Sequence, residues 1–344
     1  MTDSPKSVLS SRPGARDSRA RTVTARGLIL WAACLAGLLV ITTAVSVTWG
    51  YSSLNADVVR ARLLRLASAM VVGGGLAVAG VALQSLLRNA LADPYVLGIS
   101  SGSGVGVLAG MMLSAHGLGQ TWSNVPLMAG AGALLTVGVV YLVAQRRGRL
   151  DPYTLLLAGV IVNAFNGAVM LFIYLYLSPY LIAGYLGWAM GRIPENPELR
   201  LLACSGGLML AGWLYVLLRA QAFNVQSLGD DVAGSSGVNV HFLRLGTFIV
   251  VSLMTASAVA LAGPIGFIGL IVPHMCRLIL GPDHRLLVIA SGFVGAIFLV
   301  VADTFCRLTV LTFGGELPVG IITAFCGGPF FIYLLRRRFG EGMQ

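Results

Sequence analysis

The sequence predicts an all-α polytopic membrane protein with about ten transmembrane helices. Of the 344 residues, 57% are hydrophobic and 10% are charged, whereas soluble domains carry about 25% charged residues. Two segments, Pro94 to Gln145 and Pro152 to Gly191, contain no Asp, Glu, Lys or Arg, and each exceeds the roughly 20 residues that one spanning helix needs. These continuous apolar runs lack the alternation of a transmembrane β-barrel, so helices that fold back through a membrane are expected.

Polar breaks divide the apolar sequence into ten candidate spans. A further apolar piece, residues 180–190, is too short to span and is predicted to lie at the surface or to re-enter the membrane. The ten predicted spans, in chain order, are residues 28–48, 63–87, 95–115, 123–144, 153–177, 200–219, 244–262, 264–280, 286–309 and 317–335.

The chain ends are predicted to be polar tails around one membrane domain. Residues 1–26 are rich in Ser and Arg without an apolar run, which is typical of a disordered cytoplasmic tail. Residues 27–338 form the predicted transmembrane domain, and residues 339–344 a cytoplasmic C-terminal tail. With the N-terminus inside, most of the 23 basic residues fall on inner segments, so the positive-inside rule predicts two cytoplasmic termini in a bacterial inner membrane.

The sequence lacks the residue patterns that ATP hydrolysis, metal or cofactor binding, and nucleic-acid binding would need. The sole lysine is Lys6, so the chain has no P-loop lysine for ATP hydrolysis. The five cysteines stand singly and the four histidines lie far apart, so neither a metal site nor a cofactor site is predicted. The net charge of +10 is spread over separate loops, which favours contact with membrane lipid over nucleic acid.

Charged residues near the ends of spans are informative because burying a charge in a membrane is costly. Arg62 and Arg65 share one helical face on the outer side, where either lipid headgroups or carboxylates of a docking protein would complement them. Asp303 and Arg307 stand four residues apart and are predicted to pair. Glu316 precedes the last span, where capping that helix and binding substrate are both open interpretations.

A family resemblance covers residues 60–338 in order and is carried by several motifs together. These segments are Arg62–Arg65, Leu83–Gln84, Leu87–Pro94, Leu97–Gly102, Leu155–Val160, Leu228–Val238, Ala262–His274, Gly281–Arg285, Ala302–Asp303, Glu316–Ile321 and Gly328–Pro329. The chain thereby resembles the FecCD-type permeases, the membrane subunits of iron-siderophore, haem and vitamin B12 ABC importers. The resemblance implies a type II ABC importer permease fold, and a homodimer with two copies of a separate ABC ATPase subunit and an extracytoplasmic substrate-binding protein.

The resemblance also implies roles for individual residues in a non-enzymatic permease that carries an iron chelate, either a ferric siderophore or haem, with cobalamin as the alternative. Arg62, Arg65 and Arg307 match arginines that dock the binding protein. The coupling loop is expected at about residues 221–243, although Asp231 and Ser236 depart from the family's usual Glu and Leu. The remaining implied site residues are, for ATPase coupling, Gly229, Asp230, Asp231, Ala233 and Gly237, and for the translocation pathway, Asn163, Asn166, Tyr174 and Tyr176.

Two other function classes remain open at this stage. An ion-coupled secondary transporter would need acids inside the membrane, and Asp303 is the one candidate in the sequence. A purely structural membrane subunit of a larger complex is the other alternative.

Overall fold

The computed structural model describes residues 25–48, 55–117, 124–146, 148–310 and 314–341. Residues 1–24 and 342–344 of the two predicted tails lie outside the described residues. Residues 25 and 26 belong to the first helix, and the last helix continues through Glu341. The division into two tails and one membrane domain stays a prediction.

The described residues form thirteen α-helices, one 3-10 turn and a two-residue β-ladder. Residues Gln145–Arg146 pair antiparallel with Arg149–Leu150, and the 3-10 turn is Pro94–Leu97. The helices are α1 Ala25–Thr48, α2 Ala56–Leu87, α3 Ile99–Ala115, α4 Val125–Ala144, α5 Pro152–Tyr174, α6 Pro179–Ala189, α7 Leu199–Leu218, α8 Ala220–Gln226, α9 Asp230–Ser235, α10 Val240–Ala262, α11 Ile268–Leu280, α12 His284–Leu308 and α13 Val319–Glu341.

The ten predicted spans correspond to ten of these helices. Seven of the described helices are long and apolar enough to cross a membrane, and α3, α11 and the Val319–Leu334 part of α13 are shorter apolar helices. The short piece predicted at residues 180–190 is α6, with 11 residues. The all-α polytopic prediction is confirmed.

Helix α2 forms the centre of the fold. It is 32 residues long, it packs against α7, α10, α11 and α12, and its middle is almost entirely buried. Glycines permit this close packing, because a Cβ at Gly80 would overlap the carbonyl oxygen of Gly269 and one at Gly73 would overlap that of Gly295. Small residues at such contacts let helix backbones approach closely in a membrane.

Two breaks between helices meet beside α2. The predicted span 264–280 begins later, at Ile268, because Gly263 and Phe267 adopt positive φ values of 69° and 70°. The backbone N–H of Ile265 donates to the Tyr95 hydroxyl at 3.1 Å, and Gln84 Nε2 donates to the carbonyl oxygen of Gly269 at 3.1 Å. Side chains therefore satisfy backbone groups that the interrupted helices leave open, as burial requires.

Candidate functional site

Charged side chains gather at two places along α2. The Arg65 cluster comprises Arg65, Asp303, Arg307 and Glu316, near the start of α2. The Asp230 cluster comprises Arg88, Asp230 and Arg244, at the end of α2. At a rise of about 1.5 Å per residue, the helix separates Arg65 from Arg88 by about 35 Å. One helix therefore joins both clusters.

The Arg65 cluster is centred on one guanidinium that binds two carboxylates. Arg65 Nε donates to both carboxylate oxygens of Asp303 at 3.1 and 3.0 Å. Its two terminal nitrogens donate to Glu316, at 3.2 and 3.0 Å. The side chains of Arg65 and Asp303 are 5% and 0% exposed, so this pair is buried. Multiple bonds of this kind hold a buried charge in a fixed geometry.

Two neighbouring arginines attach the end of α1 to this cluster. Arg307 donates to the backbone oxygen of Ser46 at 3.0 Å and to its hydroxyl at 2.6 Å. Arg62 donates to the backbone oxygen of Val47 at 2.6 Å. These carbonyls belong to the last turn of α1, where a helix leaves its own acceptors unsatisfied. The arginines thus cap α1 from α2 and α12.

The predicted docking arginines are placed together, but they are not presented to solvent. Arg62, Arg65 and Arg307 are all buried, because carboxylates and carbonyls of the same chain bind them. All three side chains are therefore turned towards partners within the chain. Their role in docking a binding protein stays a prediction.

The two acids near the end of the chain have separate outcomes. The predicted Asp303–Arg307 pair is confirmed, with Asp303 Oδ2 3.6 Å from Arg307 Nε. Glu316 precedes the first residue of α13 by three positions, and its carboxylate binds Arg65. Neither interpretation of Glu316 anticipated this contact, since sequence spacing does not show that Arg65 lies opposite.

The Asp230 cluster ties the polar segment between α7 and α10 to the helices beside it. Asp230 Oδ2 accepts from Arg244 of α10 at 2.6 Å, and Asp230 Oδ1 forms a close ion pair with Arg88. Arg88, the C-cap of α2 with φ of 49°, also donates to the backbone oxygen of Gln226 at 3.0 Å. The side chains of Arg88 and Asp230 are 38% and 40% exposed, so solvent screens their interaction.

The predicted coupling residues divide into two groups. Asp230 and Ala233 face the membrane helices, because Asp230 binds two arginines and Ala233 is buried. Asp231 is exposed. Gly229 and Gly237 flank α9 with φ values of 132° and 84°, which explains the glycines there. Sequence reasoning gave all five residues one role because it could not show which face of α9 points outward.

An apolar surface on this segment accompanies Asp231. Leu228 and Val232 are both largely exposed, and they lie three residues before and one residue after Asp231. We call these three residues the α9 face. Exposed apolar side chains beside an acid are typical of a protein contact surface rather than of a solvated loop.

The predicted pathway residues lie in different environments. Asn166 is buried and donates to the hydroxyls of Ser101 at 3.0 Å and Thr136 at 3.3 Å. Asn163 accepts from Ser101 at 2.6 Å. These asparagines join α3, α4 and α5. The sequence signal that could have found Ser101 is the polar run Ser100–Ser103 within an apolar span.

The two predicted pathway tyrosines differ in exposure. Tyr174 is half-buried against Tyr185 in an edge contact with ring centroids 5.8 Å apart. Tyr176 is exposed beside Phe172. Of the four predicted pathway residues, Tyr176 presents the most open side chain, and the pathway role of all four stays a prediction.

Sequence reasoning missed Arg88, Arg244 and Glu195 as site residues. Glu195 Oε1 lies 3.6 Å from Arg65, and its side chain is 73% exposed. Charges at helix ends were the available signal for Arg88 and Arg244, but pairing over such distances in the chain needs the fold. Among the residues that the structure describes, no three His, Cys, Asp or Glu side chains are grouped to hold a metal ion.

Comparison with known proteins assigns the chain to a family. The family model described as the FecCD transport family matches residues 27–337. The chain belongs to the FecCD transport family. It is therefore a multi-pass membrane permease of the ABC importer class, a transporter component and not itself an enzyme. Neither an ion-coupled secondary transporter nor a purely structural subunit describes this family.

Relatives of this FecCD protein are named for different substrates. It is 41% identical over 277 residues to the cobalamin import system permease BtuC of Halobacterium salinarum, covering 80% of this chain and 72% of the relative. It is 38% identical to the hemin permease HmuU of Yersinia pestis, covering 80% and 82%. It is 34% identical to the iron(3+)-hydroxamate permease FhuG of Bacillus subtilis, with the same shares.

A solved structure shares the fold of this FecCD chain. An inward-facing conformation of a metal-chelate type ABC transporter superposes with a TM-score of 0.79 at 27% identity, covering 90% of this chain and 99% of that one. ABC importer permeases work with ATPase and substrate-binding partners, so the chain needs contact surfaces for both.

Proposed function

We propose that this permease imports an intact iron chelate, a ferric siderophore or haem, across the bacterial inner membrane. The observation that carries the proposal is that α2 joins the Arg65 cluster to the Asp230 cluster over about 35 Å. A permease whose energy comes from a partner needs such a mechanical connection between its two faces. Relatives named for hemin and iron(3+)-hydroxamate support the substrate class. Cobalamin is the second candidate because a relative at 41% identity is named for it.

The proposed orientation puts the Asp230 cluster in the cytoplasm and the Arg65 cluster on the outer face. Both termini are then cytoplasmic, as the positive-inside rule favours. In this orientation the α9 face meets the ATPase, and the binding protein approaches the Arg65 cluster. Arg62 and Arg192 flank the Arg65 cluster. Together with Arg65 and Arg307 they outnumber the three acids around Arg65, so this end of α2 retains positive charge for an acidic partner.

The α9 face transmits the movement of the ATPase in this proposal. Leu228 and Val232 bind in an apolar groove of the ATPase, and Asp231 binds a basic side chain beside it. Force on α9 passes through Asp230 to Arg88 and Arg244, and thus to α2 and α10. Asp231 therefore contacts the partner, whereas Asp230 transfers the movement within the permease.

The substrate class is tested by uptake into proteoliposomes that contain the permease, its ATPase and its binding protein. When a panel of ferric siderophores and haem is tested, we expect ATP-dependent uptake of at least one of these chelates. An ion gradient without ATP should drive no uptake. Uptake of cobalamin alone would replace the proposed substrate with the second candidate. ATP-independent accumulation would contradict the proposed mechanism itself.

The coupling roles are tested by a matched pair of variants. We expect Asp231→Arg to reduce the affinity of the ATPase at least about ten-fold, because it puts like charge at the contact. Asp230→Asn should leave ATPase affinity unchanged and reduce uptake per ATP hydrolysed. Normal ATPase affinity and normal uptake by Asp231→Arg would contradict the proposed docking face.

A homodimer with α5 and α13 beside the two-fold axis completes the proposal. The predicted passage runs between two copies, and α13 exposes Phe325, Cys326, Ile332 and Tyr333 for contact with the second copy. Three native cysteines lie exposed on different helices, Cys34 on α1, Cys204 on α7 and Cys326 on α13.

Oxidative cross-linking in membranes tests this arrangement without new cysteines. We expect a covalent dimer that Cys326→Ser abolishes and that Cys34→Ser and Cys204→Ser leave intact. A cross-link that depends on Cys204 instead would put the axis on α7 and contradict the proposed interface.

A further inference from the structure

Three carboxylates surround Arg65 at graded depths. Asp303 is fully buried, the Glu316 side chain is 11% exposed, and Glu195 lies at the surface. Every nitrogen of the Arg65 guanidinium already faces at least one of these acids. A carboxylate from another protein can therefore reach Arg65 only by taking the place of an internal one.

Glu316 belongs to the segment that leads directly into α13. Its backbone oxygen accepts from the Arg192 side chain at 3.1 Å, and the backbone N–H of Arg192 donates to the backbone oxygen of Ala262 at 2.8 Å. The N–H of Gly320 in α13 donates to the oxygen of Gly191 at 3.3 Å. The lead-in to α13, the α6–α7 loop and the end of α10 are thus joined beside Glu316.

We propose that Glu316 is a positioning residue which a carboxylate of the binding protein displaces from Arg65 on docking. The displacement frees the segment that begins α13 and so communicates docking to the helix proposed to lie beside the passage. This inference rests on the proposed docking role of the Arg65 cluster. It adds the internal carboxylate that competes for Arg65, and the helix that responds.

The depth of each acid decides which one exchanges. Moving Asp303 away would leave charges buried without a partner, which is among the most costly changes in a protein. Glu316 borders solvent, so its carboxylate regains water when it leaves Arg65. One carboxylate replaces another, so the charge around Arg65 is unchanged and the exchange avoids a large electrostatic barrier. Glu195 is exposed and at 3.6 Å, so its loss changes little.

The test uses the complete permease–ATPase complex in lipid nanodiscs and its fluorescently labelled substrate-binding protein. We expect Glu316→Gln to raise the affinity for the binding protein about five-fold, which corresponds to about 1 kcal/mol. The reason is that a neutral amide competes for Arg65 less strongly than a carboxylate does. The increase in ATPase rate that docking causes should be at least about three-fold smaller in Glu316→Gln than in the wild type. In the variant, docking no longer has to release a carboxylate at position 316 from Arg65. Glu198→Gln, which removes an exposed acid from the same α6–α7 loop, is the matched control and should change neither quantity.

A second measurement keeps wild-type Glu316. Gly315 is exposed and an added Cβ there meets open space. With the exposed Cys34, Cys204 and Cys326 replaced by serine, a spin label on Gly315→Cys therefore reports on the lead-in to α13. The expected result is an increase in label mobility when the binding protein docks. No change in mobility on docking would overturn the exchange even if Glu316→Gln fails to fold.

A binding protein whose surface glutamates are replaced by glutamine separates this inference from the proposed docking. Suppose that the glutamine-substituted binding protein binds the wild-type permease weakly, and that Glu316→Gln changes neither the affinity for the unmodified binding protein nor the stimulation of ATP hydrolysis. The proposed exchange is then wrong, but docking through carboxylates is supported. If the glutamine protein binds normally, carboxylate docking is wrong and the exchange falls with it. Weak binding together with the five-fold gain in Glu316→Gln supports both.

Discussion

The Arg65 cluster and the Asp230 cluster use the same chemical groups in opposite surroundings. Each pairs acids with guanidinium groups, but the side chains of Arg65 and Asp303 are buried, whereas those of Arg88 and Asp230 are more than a third exposed. Removing one partner of a buried ion pair costs about 3–5 kcal/mol. An exposed pair contributes about 0–1 kcal/mol and is screened by salt.

The difference shows that the two clusters suit different tasks. The Arg65 cluster fixes α1, α2, α12 and the lead-in to α13 relative to one another. The Asp230 cluster keeps α9 in register with α2 and α10 at small energetic cost, so α9 can adjust to a partner. Four predictions, from the largest effect to the smallest, test this contrast.

Asp303→Ala should have the largest effect on stability. It leaves the buried Arg65 and Arg307 without their shared carboxylate, which should lower the free energy of unfolding by about 3–5 kcal/mol. The measurements are the thermal midpoint in detergent and the fraction of monodisperse protein after purification.

The control for Asp303 is Glu195→Ala, which removes the exposed acid from the same arginine. It should change stability by less than about 1 kcal/mol. Equal effects of the two substitutions would show that burial does not decide the strength of this cluster.

Gly80→Ala tests the part of α2 between the clusters. The added Cβ overlaps the carbonyl oxygen of Gly269, and overpacking of this kind costs about 1–3 kcal/mol. Because the shift displaces α2, binding-protein-stimulated ATP hydrolysis should fall together with the thermal midpoint.

Gly167→Ala is the matched control for Gly80, since an added Cβ there meets nothing within 4 Å. It should retain wild-type stability. A Gly80→Ala variant with a normal midpoint and normal stimulation would mean that the close contact of α2 with α11 is unimportant.

Asn166→Ala probes a buried polar contact without net charge. It removes the donor to Ser101 and Thr136, and we expect a loss of about 1–2 kcal/mol in unfolding free energy. Substrate preference should stay unchanged, because the side chain joins helices. A changed preference with normal stability would instead support the predicted pathway role.

Asp230→Asn should have the smallest effect on stability, below about 1 kcal/mol at low salt. The difference from wild type should vanish as NaCl rises from about 0.05 to 0.5 M, since salt screens exposed pairs. Thermal midpoints across this range test it. A salt-independent loss would show that the Asp230 pairs behave like buried ones.

Much of the fold could be predicted because a long apolar run is a local sequence signal for a membrane helix. The first and ninth predicted spans agree with α1 and α12 within three residues. The span 264–280 was too long at its start because no local signal marks Phe267, a non-glycine residue with positive φ. Its conformation depends on packing against a distant part of the chain.

The candidate site was predicted less completely. The i,i+4 spacing of Asp303 and Arg307 revealed a pair within one helix, whereas Arg65 and Glu316 are 251 residues apart and no local pattern links them. Asp230 and Asp231 are adjacent and chemically identical, yet one binds arginines and the other faces outward. Which side of a short helix is buried depends on tertiary contacts.

The burial of Arg65 has a consequence for biosynthesis. Arg65 lies in the second helix, but its partner Asp303 lies 238 residues later. A nascent chain that ends before residue 303 has inserted an arginine whose carboxylate partner has not yet been synthesised, and an unpaired charge is costly in hydrocarbon. Until α12 has been synthesised, the charge of Arg65 must therefore be shielded, either by the insertion machinery or by lipid headgroups. C-terminal truncations of this chain should accordingly be degraded rather than accumulate as partly folded membrane intermediates.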